Sequence, residues 1–296
     1  MVTKLIGIQH KTSYRYRRSV GLGAHRLMLR PRESQDLRLV GFDLTTEPEA
    51  TLTWAQDVYG NAVATATFAA PTTGLVIDCR TEIELSASAW PVFDIAAAAI
   101  SFPFRYPDDA WTDLGPLSAC QYPDPAARLA AWAQGFVAGH PTDTLSLLKD
   151  LNAGVSAQIS YEIREDEGTQ SPLRTLERGM GSCRDFAVLF AEAVRSLGFG
   201  ARIVSGYLHN PDQALVGSQG NGSTHAWAEV YVPGAGWITF DPTNLAVGGA
   251  NLIPVAVARD IHQAMPVTGS FTGPGQDYDA MTVDVRVSEL SGENKY

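Results

Sequence analysis

Cysteine, histidine and long apolar runs are scarce in this chain of 296 residues. Its three cysteines, Cys79, Cys120 and Cys183, are too few for a disulfide framework, and their spacing does not indicate a metal site. The six histidines are scattered and none belongs to an H-E-x-x-H motif, so we expect no catalytic metal. No stretch of about 18 apolar residues occurs, and the first residues lack the apolar core of a signal peptide. We therefore expect a cytoplasmic protein without a membrane span.

Positive charge is also in short supply, since the formal net charge is −10. Residues 1–40 hold nine Lys/Arg and two Asp/Glu (+7), whereas the remaining 256 hold 13 and 30 (−17). This balance predicts no nucleic-acid partner. Within the basic part, residues 14–18 (YRYRR) alternate as in a strand with a solvated arginine face. An anionic partner for that face is the alternative interpretation.

The first hundred residues show the pattern of short strands. Val63, Thr65 and Thr67 alternate with alanines, and residues 57–61 (DVYGN) have turn chemistry. Residues 101–125 are rich in proline and read as a linker, because proline disfavours helix interiors and central strands.

Helical periodicity follows the linker and then gives way to strands. Helices are expected to start near Asp124, Asp143, Ser171 and Cys183, and strands to cover residues 201–208, 225–232 and 237–240. The sequence thus predicts an α+β fold. It has an N-terminal antiparallel β domain (1–105) and a second domain (106–296) of helices packed on an antiparallel sheet, with a β-rich C-terminal tail.

Cys183 has the position of a nucleophile. It follows residues 179–182 (GMGS) and opens a predicted helix. Unpaired N–H groups and the dipole at a helix start lower a thiol pKa, and the same N–H groups can hold an oxyanion. A buried structural cysteine is the competing interpretation, but such residues usually lie on the apolar face of an element.

His225 and Asp241 are candidates for the base and its orienting carboxylate. His225 begins a strand 42 residues after Cys183 (225 − 183), and Asp241 ends the next strand 16 residues later (241 − 225). The turn at residues 233–236 would bring these two strand ends side by side. A carboxylate next to the imidazole would fix its tautomer and stabilise the imidazolium. The hairpin register is left open by the sequence, and an ordinary histidine and turn aspartate are the alternatives.

The segments that carry these residues resemble the motifs of the transglutaminase-like superfamily. They are residues 179–187 (GMGSCRDFA, similar to G-x-C-x-D-x-A), 202–207 (RIVSGY), 225–231 (HAWAEVY) and 237–244 (WITFDPTN). Residues 14–16, 29–32 and 57–61 are similar to the β-rich region that precedes this core in bacterial members, and residues 258–260 and 266–269 also fit. The resemblance covers nearly the whole chain and implies a papain-like core.

This resemblance implies a thiol enzyme in which Cys183 is the nucleophile, His225 the base and Asp241 the orienting group. A thioester would form from a peptide, protein or other amide substrate, without a cofactor. Water then gives hydrolysis and an amine gives transglutamination; we favour hydrolysis, as a cysteine peptidase or amidase. A non-catalytic protein-interaction module is the alternative, and the sequence predicts no oligomeric state.

Four further residues are candidates for the surroundings of the site. Asp185, in the first turn of the helix, is expected to have a structural role beside Ser182. Trp227 is expected in the core or as a shield over His225, and Tyr161 could line the pocket or donate to an oxyanion. The segment 209–224, rich in Gly, Asn and Ser, is a candidate gate over the cleft.

Overall fold

The computed structural model describes residues 3–163, 168–217 and 222–290. The α+β fold expected from the sequence is confirmed. Its N-terminal region consists of strands β1 (Lys4–Leu22), β2 (His25–Leu27), β3 (Leu37–Glu47), β4 (Thr51–Gln56), β5 (Ala62–Thr67) and β6 (Thr72–Leu85).

These strands form two antiparallel sheets with an apolar core between them. One sheet contains β3, β6 and β1 in that order, and the other contains β4, β5 and β2. Alternate side chains of β6 are buried, as expected for a strand with one face against a core. Leu27, Ala64, Leu75 and Ile77 belong to one buried cluster that joins the two sheets.

A mainly helical segment follows. Its elements are β7 (Ser101–Phe102), α1 (Asp108–Leu114), α2 (Arg128–Gln134), β8 (Thr142–Asp143), α3 (Thr144–Gln158), β9 (Ser160–Tyr161), α4 (Pro172–Arg178), β10 (Met180–Gly181) and α5 (Cys183–Ser196).

Two details differ from the sequence-based expectation. The supposed linker contains α1, because Pro107 and Pro116 flank this helix and do not interrupt it. Helix α2 begins at Arg128 instead of Pro125, since Ala127 has a φ of 51° and breaks the helical path. The carboxylate of Asp124 still caps that first turn by accepting the backbone N–H of Arg128 at 2.8 Å.

The core sheet follows α5 and is antiparallel throughout. Its strands are β11 (Gly200–His209), β12 (Gly222–Val232), β13 (Gly236–Asp241), β14 (Ala246–Val247) and β15 (Leu252–Ala258), in the order β14-β13-β12-β11-β15. One face of this sheet packs on α5, with Phe186 and Phe190 of the helix in the same buried cluster as Ala228 and Phe240 of the sheet. Helix α5 is buried on nearly every side from Asp185 to Arg195, so it forms the centre of the core.

The C-terminal tail returns to the N-terminal region. Strands β16 (Val267–Thr268) and β17 (Phe271–Thr272) pair with β2 and β1, and β18 (Tyr278–Glu289) pairs with β1. These strands add to the edges of the N-terminal sheets, because an edge strand is stabilised by pairing with a neighbour that the chain brings to it. The assignment of the tail to the second domain stays a prediction. The boundary at residue 105 stays a prediction.

The C-terminal tail also provides acidic partners for the arginines of residues 14–18. Nε of Arg15 lies 2.5 Å and Nε of Arg17 lies 3.4 Å from Asp279, and Nε of Arg18 lies 2.9 Å from Asp277. An anionic partner would therefore meet a face whose charge is partly compensated within the chain.

Asn61 connects the N-terminal region to the core sheet. Its side chain is fully buried; Nδ2 donates to the carbonyl of Val257 at 2.7 Å, and Oδ1 accepts the Val257 N–H at 2.9 Å. Oδ1 also accepts from Arg32 at 2.6 Å, and Nδ2 also donates to Asp57 at 2.8 Å. The amide thus extends the hydrogen bonding of β15 across the boundary between the two regions.

Replacing Asn61 with alanine should destabilise the protein strongly. The change leaves both backbone groups of Val257 buried without this partner, which should lower the free energy of unfolding by about 3 kcal/mol. Urea unfolding followed by tryptophan fluorescence measures this loss. Val58→Ala is the matched control, because Val58 lies in the same turn and is 93% exposed. A stability of Asn61→Ala equal to that of the control would refute the role of this contact.

Candidate active site

Cys183 is held in place by a short parallel strand pair. Gly181 of β10 lies opposite Tyr161 of β9, and the N–H of Glu162 donates to the carbonyl of Gly181 at 2.9 Å. A Cβ at Gly181 would lie 2.8 Å from Cβ of Asp185, so the close approach requires glycine here. Cys183 then begins α5 and is partly exposed.

Ser182 and Asp185 cap the helix that Cys183 opens. Oδ2 of Asp185 accepts the N–H of Ser182 at 2.8 Å and its hydroxyl at 3.0 Å, and Oδ1 accepts the N–H of Gln170 at 2.6 Å. Both capping side chains are buried. They support the position of Cys183, because a capping carboxylate points back at its own helix start. Their part in lining the pocket stays a prediction.

The hairpin of β12 and β13 brings His225 and Asp241 together. Ala228 pairs with Phe240, so Asp241 lies beside Trp227, and His225 is two residues further along the same face of β12. Nε2 of His225 and Oδ2 of Asp241 are 2.8 Å apart, and both side chains are buried. The register of β12 against β13, which the sequence left open, thus places the two side chains within hydrogen-bonding distance.

The Asp241 carboxylate is surrounded by donors. Its Oδ1 accepts the N–H of Thr243 at 3.0 Å, and its Oδ2 also accepts from Nδ2 of Asn244 at 2.9 Å. Burial raises the pKa of this carboxyl group, but His225 and these hydrogen bonds outweigh burial and hold the pKa below its ordinary value. Asp241 is therefore ionised at neutral pH and fixes the His225 tautomer with a proton on Nε2.

The imidazole and the thiol shift each other's pKa. Burial lowers the pKa of His225, but the charge and hydrogen bond of Asp241 and the proximity of Cys183 raise it to about 10. Burial raises the pKa of Cys183, but His225, the Ala226 backbone N–H and Arg184 outweigh it, so that the pKa lies below its ordinary value of 9.0. Since the pKa of His225 lies above that of Cys183, transfer of the thiol proton to the imidazole is favoured.

Nδ1 is the imidazole atom left for Cys183, since Nε2 is held by Asp241. Among the residues that the structure describes, Nδ1 has no hydrogen-bond partner of standard geometry. Cys183 and His225 are nonetheless close enough to shift each other's pKa. Catalytic hydrogen bonds are often long before substrate binds.

Tyr161 and Trp227 both lie near His225. The Tyr161 hydroxyl is half-buried, and burial together with the charge of Cys183 raises its pKa to about 12, so it remains protonated at neutral pH. A Cβ at Gly217 would lie 3.2 Å from this hydroxyl and 3.7 Å from Nδ1 of His225.

Trp227 is buried with Val204 in an apolar cluster, and its ring lies 6.1 Å from that of His225 at an angle of 28°. Trp227 therefore both fills the core and covers the histidine.

Asn244 is a residue of the site whose role the sequence did not predict. Its Oδ1 accepts the N–H of Val216 at 2.7 Å, while its Nδ2 donates to Asp241. It therefore connects the loop before β12 to the carboxylate. The available signal was an Asn three residues after the Asp in a turn, but this spacing alone does not reveal a contact with a residue 28 positions away.

The candidate gate is shorter than predicted. His209 ends β11 and residues 222–224 belong to β12, while residues 218–221 lie outside the described part of the chain. The gating role stays a prediction.

Within residues 3–163, 168–217 and 222–290, no group of three or more His, Cys, Asp or Glu is arranged to hold a metal ion. No helix in these same ranges is long and apolar enough to cross a membrane.

Substitutions of Asn244 should separate its two contacts. Asn244→Ala removes a donor from Asp241 and the acceptor of Val216, so the pKa of Asp241 should rise and the Val216 amide should exchange its hydrogen faster. Asn244→Asp keeps an acceptor for Val216 but places a like charge beside Asp241, so only the pKa should rise. NMR titration of the carboxyl carbon and hydrogen exchange measure the two effects. Unchanged exchange of Val216 in Asn244→Ala would contradict the connection.

Comparison with known proteins agrees with this geometry. Residues 130–242 match the transglutaminase-like superfamily, and residues 6–84 match the bacterial transglutaminase-like N-terminal region. The first match includes the candidate triad of Cys183, His225 and Asp241, and the second covers most of strands β1 to β6.

Relatives extend over different parts of the chain. An uncharacterised protein of Mycobacterium tuberculosis is 28% identical over an alignment of 293 positions that covers 94% of this chain and 91% of that protein. One of Mycobacterium leprae is 37% identical over 119 residues, so the chain spans less than half of that relative (42%) and the match covers 40% of this chain.

One solved structure shares the whole fold. A candidate cysteine protease from Cytophaga hutchinsonii superimposes with a TM-score of 0.74 at 16% identity, and the match covers 100% of this chain and 94% of that one. The two family matches therefore identify a transglutaminase-like core at residues 130–242 and, ahead of it, a bacterial transglutaminase-like N-terminal region at residues 6–84.

Proposed function

We propose that this protein is a cysteine hydrolase that cleaves an amide bond through a thioester on Cys183. The observation that carries the proposal is the buried Asp241–His225 pair, 2.8 Å apart, beside a partly exposed thiol at a helix start. A nucleophile, a base and an orienting carboxylate in this order are the parts that thiol acyl transfer needs.

In the first half-reaction the Cys183 thiolate attacks the carbonyl carbon of the amide. The backbone N–H of Cys183, at the first position of α5, can bind the developing oxyanion, and the protonated Tyr161 hydroxyl is a second donor. The His225 imidazolium then gives its Nδ1 proton to the leaving nitrogen, the C–N bond breaks, and the amine departs. The acyl group remains on sulfur as a thioester.

In the second half-reaction His225, now neutral, takes a proton from water. The hydroxide attacks the thioester carbonyl, the C–S bond breaks, and a carboxylic acid leaves. The thiolate–imidazolium pair is restored, so no cofactor is consumed.

Transfer to an amine shares the first half-reaction and differs only in the nucleophile that resolves the thioester. The substrate is a peptide, protein or other amide, and a cytoplasmic location stays a prediction.

The state of the thiol can be measured without a substrate. We expect iodoacetamide to alkylate Cys183 at about pH 6, where an ordinary thiol is protonated, because His225 lowers the Cys183 pKa. In His225→Ala burial remains while the stabilising charge is lost, so alkylation should move to higher pH. The rate as a function of pH, measured by mass spectrometry of the labelled peptide, tests this.

The other two cysteines are internal controls. Cys120 is exposed but its pKa is raised, first by burial of part of the thiol and then by Glu192, and burial raises the pKa of Cys79 to about 11. Neither should react at about pH 6. If Cys183 reacted no faster than Cys120, the protein-interaction module would be the better interpretation.

The reaction type requires a trapped intermediate. Incubation of the protein with a peptide library, followed by mass spectrometry of the intact chain, should reveal an acyl adduct on Cys183 that is absent in Cys183→Ala. Addition of a primary amine should leave free carboxylic acid as the main product. Dominance of the amide product would instead establish acyl transfer, and the absence of an adduct with every peptide would contradict peptide-directed chemistry.

A further inference from the structure

Exposed large apolar side chains are distributed unevenly over the core. From β9 to β15 the described residues include four, Ile163 (65% exposed), Met180 (38%), Val216 (44%) and Leu245 (59%), while Trp111 of α1 (50%) lies outside these elements. Exposed apolar residues that cluster on an otherwise polar surface mark binding sites. All four belong to segments that contact the candidate triad.

Val216 and Leu245 adjoin the His225–Asp241 side of the site. The N–H of Val216 donates to Asn244, which in turn donates to Asp241, and Leu245 is the next residue after Asn244. Gly217, next to Val216, is the position whose Cβ would lie 3.7 Å from Nδ1 of His225. Val216 and Leu245 therefore belong to the two loops that meet at Asn244, next to the carboxylate.

Ile163 and Met180 adjoin the Cys183 side. Met180 pairs with Ser160 in the β9–β10 ladder and lies three residues before Cys183. Ile163 follows Glu162, whose N–H donates to Gly181 at 2.9 Å. The short ladder that positions the thiol thus also presents these two side chains.

The backbone is constrained both at Leu245 and in the loop that leads to Val216. Leu245 has a φ of 55°, a backbone region that a leucine rarely adopts. The preceding loop is clamped, because the Asn210 side chain donates to the carbonyl of Leu215 at 3.0 Å and accepts its N–H at 3.1 Å. Strained conformations that the surroundings enforce concentrate at functional sites.

We propose that the two pairs are subsites for large apolar side chains on both sides of the scissile amide. The substrate class is then an extended peptide or protein segment in which residues such as Leu, Ile or Phe flank the cleaved bond. A primary amide extends from the reacting carbonyl only on its acyl side. A peptide extends on both the acyl side and the amine side, so it can reach both pairs. This inference rests on the proposed hydrolase function.

Peptides that differ only in the flanking residues test the inference. We expect kcat/KM to be higher for peptides with Leu at the flanking positions than for the same peptides with Ser. In Val216→Thr and in Leu245→Asn that preference should fall about 10-fold, since truncation or polarity in an apolar pocket changes discrimination by this order. Asparagine tolerates a positive φ, so Leu245→Asn preserves the backbone.

Val283→Thr is the matched control, because Val283 is 48% exposed on β18 and lies outside the core sheet. It should retain the full preference for apolar peptides. The alkylation rate of Cys183 is measured in every variant, so that a loss of thiol reactivity is distinguished from a loss of binding.

Three results would overturn the inference. The first is an unchanged Leu/Ser preference in both variants while the thioester still forms, which leaves the hydrolase function intact. The second is dimerisation of the protein or retention on phosphatidylcholine vesicles that Leu245→Asn abolishes without any change in peptide preference, which identifies another occupant. The third is the absence of both a thioester and low-pH alkylation in the unmodified protein, which removes the proposed function as well.

Discussion

The buried hydrogen bond between Asp241 and His225 is the contact on which the rest of the site depends. Two ionisable side chains with almost no exposure to water are stable together only if their charges and hydrogen-bonding groups are matched. The carboxylate meets this condition with three donors, from His225, Thr243 and Asn244. The imidazolium that results provides the positive charge which offsets the effect of burial on the Cys183 thiol.

Other parts of the chain fix the positions of the thiol, the imidazole and the carboxylate relative to one another. The hairpin of β12 and β13 sets the distance between imidazole and carboxylate, and α5 brings the thiol to the start of β12. The N-terminal sheets support the opposite edge of the core sheet through Asn61, and their own last strand comes from the C-terminus. Strands β1 and β18 and the core sheet are therefore parts of one packed structure.

Local sequence chemistry was sufficient for the parts of the site that depend on neighbours in the chain. The Gly-rich approach to Cys183, the cap formed by Asp185 and the alternation of β12 each follow from spacing within a few residues. Contacts between distant segments were not accessible. The pairing of β18 with β1, the link from Val216 to Asn244 and the exposure of Leu245 all depend on how separate elements meet. Helix α1 was missed because prolines at helix ends and in loops have the same local appearance.

The protonation state of His225 tests the central claim most directly. In ¹⁵N NMR of the imidazole, both ring nitrogens should carry protons at about pH 8, because Asp241 raises the pKa far above the ordinary value of 6.5. In Asp241→Asn this pKa should fall and the ring should be neutral at the same pH. A neutral His225 in the unmodified protein at about pH 8, with a pKa that Asp241→Asn does not change, would contradict the ion-pair description of the site.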